Sequence, residues 1–188
     1  MAWLGRLAVV AAAGCGAVTG YLGLVSGALP VDVGVGRRTR RLGPRTVDIR
    51  APRDVVFELI AQPYLGRTTR AMREKVRVLE RGSDMVLAAH FTPVAGGRLT
   101  ATTVETVRFT PPERVDFRLV RGPVPHVAEA FLLTEQAGGT RLVYEGELGT
   151  DLWRAGTWWG TKVADRWEAT VAASLAAIKK EAERKAHR

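Results

Sequence analysis

A chain of 188 residues with 46% apolar and 25% charged content is long enough for one domain with a real core plus an appendage, and this composition excludes wholesale disorder. Its single cysteine, Cys15, excludes an intramolecular disulfide and a thiolate metal cluster. The net charge of +9 would suit a nucleic-acid binder only if it sat on the domain. Residues 1–45 hold six Arg against one Asp, whereas residues 46–160 hold 15 basic against 14 acidic side chains, so no nucleic-acid partner is expected.

From Leu7 to Val31 there is no charged residue. The run Leu7–Leu29 would make a helix of roughly 34 Å, enough to cross a bilayer core. Five arginines (Arg37, Arg38, Arg40, Arg41, Arg45) follow it against Arg6 before it, which predicts a single-pass anchor in the cell membrane with the C-terminal side cytoplasmic. A cleaved signal peptide ending near Ser26-Gly27-Ala28 and a lipoprotein signal at Cys15 are competing readings. The pairs Gly16/Gly20 and Gly23/Gly27 have the small-xxx-small spacing of a transmembrane-helix dimer, a further expected partner. On this reading residues 1–31 are the transmembrane anchor, 32–45 a basic linker suited to anionic headgroups, and 46–188 the folded domain.

Val47 and Ile49 alternate with polar neighbours, predicting a strand over Thr46–Arg50. Ala51-Pro52 then opens a helix with Val56, Phe57 and Ile60 on its buried face, stopped at Pro63. Tyr64–Arg73 is irregular or a short second helix. Alternating segments follow at about Lys75–Glu80, Met85–Thr92, Arg98–Thr110, Val115–Arg121, Val127–Glu135 and Arg141–Leu148, with turn clusters between them, as in an antiparallel meander. The last element is a helix from about Thr161. Its stripe of Val163, Trp167, Val171, Leu175, Ile178 and Ala182 must be buried against the sheet.

Ile49, Ala51-Pro52, Val56-Phe57 and Ile60, the order of elements, and the ending Ser174-Leu175-Ala176-Ala177-Ile178-Lys179 together resemble the START-like, or SRPBCC, superfamily, in its polyketide cyclase/dehydrase and lipid-transport branch. The resemblance covers about residues 45–188. It implies an α+β helix-grip fold, a seven-stranded curved antiparallel sheet around a long C-terminal helix, with a hydrophobic cavity between the two. The N-terminal transmembrane helix stands outside it. Many members carry a Trp some residues after the first helix, where this chain has Pro63-Tyr64-Leu65.

No HExxH, CxxC, nucleophile elbow or Walker loop occurs, and no metal or cofactor is expected. The expected ligand-binding residues are Phe57, His90, Glu105, Phe117, Tyr144, Trp158, Trp159, Trp167, Thr170 and Val171. Glu105 points inward if the side of its strand carrying Leu99, Ala101, Val107 and Phe109 faces the core; unpartnered there, it would have a raised pKa and could act as an acid. Trp158 and Trp159, placed before the helix, are candidates for the pocket mouth or for lipid headgroups. The expected function is membrane-anchored binding of a hydrophobic small molecule or lipid. A cyclase or dehydratase using His90 and Glu105, and a non-catalytic membrane interaction module, remain as alternatives.

Overall fold

The computed structural model describes residue 16 and residues 18–29, 32–66 and 70–187. Seven strands, β1 (Arg38–Ile49), β2 (Val76–Arg81), β3 (Met85–Val94), β4 (Leu99–Thr110), β5 (Arg114–Arg121), β6 (His126–Gln136) and β7 (Gly139–Thr150), form one sheet in the order β1-β7-β6-β5-β4-β3-β2. Every neighbouring pair is antiparallel. Helix α1 (Arg53–Leu65) and the short α2 (Arg70–Arg73) lie between β1 and β2, and α3 (Trp153–Ala186) ends the chain.

The core follows from the periodicities. On α3 the buried Val171, Leu175 and Ala182 alternate with half-buried Val163, Trp167 and Ile178, so the six positions of the apolar stripe all face the interior. On β4 the side carrying Thr103, Glu105, Val107 and Phe109 is buried, and on β7 Leu142, Tyr144 and Leu148 are buried to within 1%. Phe57, Val56 and Ile60 of α1 close the core.

Three boundaries differ from the sequence expectation. Strand β1 begins at Arg38, so residues 38–45 of the stretch read as a basic linker belong to a strand that pairs with β7, from Arg38 opposite Thr150 to Ile49 opposite Thr140. Its arginines obscured the strand because one face of β1 is exposed and needs no apolar residues. Pro63 lies inside α1, which continues to Leu65. Helix α3 begins at Trp153, so Trp158 and Trp159 are helical rather than leading into the helix.

Of the run expected to span a bilayer, residues 7–15 and 17 lie outside the described residues. Residues 18–25 are helical and pack on the domain. Val25 is buried, the Tyr21 ring stands edge-on to Trp159 at 6.2 Å, and Arg121 Nε donates to the Gly27 carbonyl at 2.5 Å. Gly27, at φ +69, passes so close to strand β4 that a Cβ there would lie 2.6 Å from the Thr102 carbonyl oxygen. Among the described residues no helix is long and apolar enough to cross a membrane.

The start of α3 is tied down by Asp151, a buried carboxylate. Its Oδ2 accepts from the Val33 and Gly34 amides, both at 2.8 Å, and its Oδ1 from Arg37 Nε at 2.8 Å. The Arg37 hydrogen bond holds the Asp151 carboxyl below its usual range. Gly156, in the first turns of the helix, runs against this knot: a Cβ there would sit 1.6 Å from the Asp151 carbonyl oxygen. Alanine normally stabilises a helix interior over glycine by about 1 kcal/mol. Here Gly156→Ala is expected to lower the melting temperature by several degrees, since the backbone must move; thermal unfolding followed by circular dichroism checks the sign. Asp151→Asn, which takes the charge away from four hydrogen bonds at once, is expected to cost about 1–3 kcal/mol in a urea titration.

Candidate functional site

The interior between sheet and α3 is packed with aromatic rings in mutual contact. Two cavities among the described residues, one beside Leu22, Leu29 and Leu99 and one beside Arg53 and Gln136, lie outside it, and the expected hydrophobic hollow is occupied by side chains. Tyr64 at the end of α1 meets Phe109 at 5.9 Å and Phe117 at 6.0 Å between centroids; Phe117 meets Phe131 at 5.5 Å, and Phe131 meets Tyr144 at 5.6 Å. These are edge-on and tilted contacts, the arrangement that ring quadrupoles favour. The row crosses β4, β5, β6 and β7; one end reaches the buried Glu105 and the other the half-buried Glu129.

At one end His90 (β3) and Glu105 (β4) face each other. His90 Nε2 and the Tyr64 hydroxyl are 2.9 Å apart, and His90 Nδ1 lies 3.4 Å from Glu105 Oε2, too poorly placed for a hydrogen bond and otherwise without a partner. Thr103, in register with His90 across the strand pair, donates its hydroxyl to Glu105 Oε1 at 2.6 Å. Burial works against charge on His90, but the Glu105 carboxylate outweighs it and raises the imidazole above its ordinary value. Burial likewise works against the Glu105 anion; His90 and Thr103 outweigh that and bring the carboxyl below its ordinary value. Both shifts favour the charged forms of the pair. Burial also pushes the Tyr64 phenol well up, so it keeps its proton.

At the other end stands Glu129 (β6). Its Oε2 accepts from the Tyr144 hydroxyl at 2.8 Å and from Trp167 Nε1 of α3 at 2.7 Å. Among the described residues no donor reaches Oε1, which is left to carry the proton of the neutral acid. Burial, followed by the negative charge on Glu105, raises this carboxyl to about 7, against the pull of its two donors. Gly146, opposite Glu129 in the β6–β7 register, makes the space: a Cβ there would lie 2.7 Å from the Glu129 Cβ.

The structure thus brings His90, Glu105, Phe117, Tyr144 and Trp167 of the sequence candidates to one interior face, with Phe57 and Val171 in the surrounding core. Glu105 does have a partner, and its carboxyl shifts down rather than up. Trp159 lies at the end of the grip, half-buried, donating Nε1 to the Pro123 carbonyl at 2.7 Å. Two candidates do not line the interior. Trp158 is 65% exposed, with Lys162 Nζ 5.6 Å from its ring, because it sits on the solvent side of α3. Thr170 is exposed too, its hydroxyl turned back to the Arg166 carbonyl at 3.0 Å. Sequence reasoning passed over Tyr64, Thr103 and Glu129 as site residues. Strand alternation with Phe131 and Leu133 places Glu129 inward, and that signal was present in the sequence.

No family model and no curated protein matches the sequence. Solved structures do. The Zhui aromatase/cyclase from Streptomyces sp. R1128 superposes with a TM-score of 0.62 at 21% identity, over 79% of this chain and 95% of that one. The di-domain ARO/CYC StfQ from the steffimycin biosynthetic pathway gives 0.62 at 14% identity over 81% of this chain; this chain spans about half of it, 53%. Norcoclaurine synthase from Thalictrum flavum gives 0.56 at 12% identity, over 77% and 87% of the two chains. Likeness at these identities is one of fold. The seven-stranded sheet closed on a long C-terminal helix is the helix-grip architecture, consistent with the START-like resemblance carried by Ile49, Ala51-Pro52 and Ile60.

Proposed function

We propose that the chain binds a hydrophobic carbonyl compound between the sheet and α3 and catalyses a proton transfer on it, of the cyclase or dehydratase type. The observation that carries this reading is Glu129, a carboxyl held by Tyr144 and Trp167 and raised to about 7, on an aromatic interior that also holds the His90–Glu105 pair. A carboxyl moved to neutrality can take up and return a proton under working conditions, as general acid–base chemistry requires. The neighbouring folds support the class: solved examples act as aromatase/cyclases, and norcoclaurine synthase has been solved with dopamine and hydroxybenzaldehyde.

In this reading apolar parts of the ligand rest against Phe117 and Phe131. The Glu129 carboxylate takes the proton from the carbon beside the carbonyl and then returns it to the carbon or to a departing hydroxyl. Charge balances throughout, because the negative charge leaving Glu129 appears on the enolate oxygen and comes back when the proton is returned. Binding without chemistry is the competing reading. The two donors already seated on Glu129 Oε2 favour it, since they satisfy the carboxyl without a ligand.

Exchange of the acidic hydrogens of an aromatic β-diketone in deuterated water, followed by NMR, separates the two. Exchange is expected to accelerate as pH rises through about 7 and to fall by about 100-fold or more in Glu129→Gln. A diketone that binds with no faster exchange than buffer alone would leave a binding protein and remove the enzyme reading. Glu105→Gln is expected to lower the His90 pKa and move the alkaline limb of the profile to lower pH.

The same groups fix how stability depends on pH. The folded Glu129 carboxyl titrates above its unfolded value of 4.5, so its contribution is complete below about 4.5 and is lost as pH rises through about 7. His90, also raised, acts in the same sense, its contribution complete below 6.5 and lost as pH rises through its folded value. Glu105, lowered, contributes above 4.5 and loses that on acidification through its folded value. Stability is therefore expected to decline between about pH 5 and 8. Up to about 3 kcal/mol of that decline should vanish in Glu129→Gln, as measured by urea unfolding across the range.

A further inference from the structure

Independent of the interior acids, the surface at the start of α3 has an unusual construction. Leu152 and Trp153 both have left-handed backbone angles, φ 67 and φ 48, a region disfavoured for any residue with a side chain. They are held there by hydrogen bonds from the Leu152 amide to the Val35 carbonyl at 2.8 Å and from the Trp153 amide to the Gly36 carbonyl at 3.0 Å. The same bonds bring Val33 and Val35 alongside, on a strap that Asp151 clamps through the Val33 and Gly34 amides. Yet the side chains so fixed are not buried: Trp153 is 54% exposed, and Leu152, Val33 and Val35 lie between 44% and 53%. A backbone constrained in order to hold apolar groups in water points to an occupant.

Cations surround this patch. Arg38 pairs with Thr150 at the start of β1, Arg154 follows Trp153, and Lys162 stands over the exposed Trp158 ring. All three are exposed, and among the described residues none forms an ion pair. The helical residues 18–25 reach this same end, since Tyr21 rests on Trp159, the neighbour of Trp158. Indole rings and aliphatic side chains rimmed by unpaired cations match the interfacial zone of an anionic bilayer, where rings sit at headgroup depth and each cation near the surface adds attraction.

We propose that Trp153 and Trp158, with Leu152, Val33 and Val35, form the surface by which this protein docks on an anionic lipid bilayer. The end of the grip marked by Trp159 and the Pro123 turn then faces the membrane, where a hydrophobic ligand is stored.

Full-length protein carrying Trp3→Phe, to silence the indole of the N-terminal run, is mixed with vesicles of brominated phosphatidylcholine with and without phosphatidylglycerol. Trp fluorescence is expected to be quenched in part by the anionic vesicles, and the quenched fraction to disappear when Trp153 and Trp158 are also changed to Phe. Replacing Arg38, Arg154 and Lys162 by Gln should weaken vesicle binding by about fivefold per charge without altering the fold. Unquenched fluorescence on bound vesicles would mean that the apolar N-terminal run alone holds the protein, and would overturn the proposal. So would quenching that survives the loss of both indoles. A dimer in light scattering that Trp153→Ser and Trp158→Ser dissolve, without quenching, would reassign the patch to a second copy of the chain.

Discussion

Two carboxyl groups in one apolar interior cannot both ionise cheaply, and the molecule is organised around that constraint. Removing a lone carboxylate from water costs several kcal/mol, and like charges sharing a medium of low polarity raise one another. The chain answers unequally. Glu105 receives a histidine and a threonine and remains an anion, while Glu129 receives only neutral donors and rises to about 7. The rings between them, from Tyr64 to Tyr144, keep the space apolar, so the inequality is preserved.

The long helix has two tasks in this arrangement. Its apolar stripe closes the concave side of the sheet, and Trp167 from that stripe supplies one of the donors to Glu129. Packing and chemistry are thereby linked: a shift of α3 that disturbs the core also withdraws a hydrogen bond from the group nearest neutrality. The helix start is fixed independently, through Asp151, Arg37 and the amides of residues 33 and 34. Register along α3 is consequently set at its N-terminal end, about ten residues before the stripe begins.

Much of the fold was legible because its signals are periodic. The α3 stripe, the meander from β2 to β7 and the inward side of β4 all follow from spacing alone, and Ala51-Pro52 marks α1 without reference to any contact. What escaped depends on the register between strands. Thr103 and Glu105 share one face of β4 and bond locally, but His90 reaches them only through the β3–β4 register, and Glu129 meets Tyr144 only through the β6–β7 register. Arginine-rich β1 lacked apolar alternation over its first half, and the helix past Pro63 was hidden by a residue that usually ends one. Trp158 and Trp159, adjacent in sequence, point apart: one faces solvent and the other donates to the Pro123 carbonyl.

Gly146 carries a consequence for variation in this chain. A Cβ there would lie 2.7 Å from both the Ala128 carbonyl oxygen and the Glu129 Cβ, and 3.0 Å from the Glu129 Cα. These are backbone atoms and a carbon that every residue except glycine carries, so the obstruction is the same whatever side chain stands at 129. Loss of the acid therefore opens no room at 146, and that glycine marks the close passage of two strands rather than the chemistry beside it.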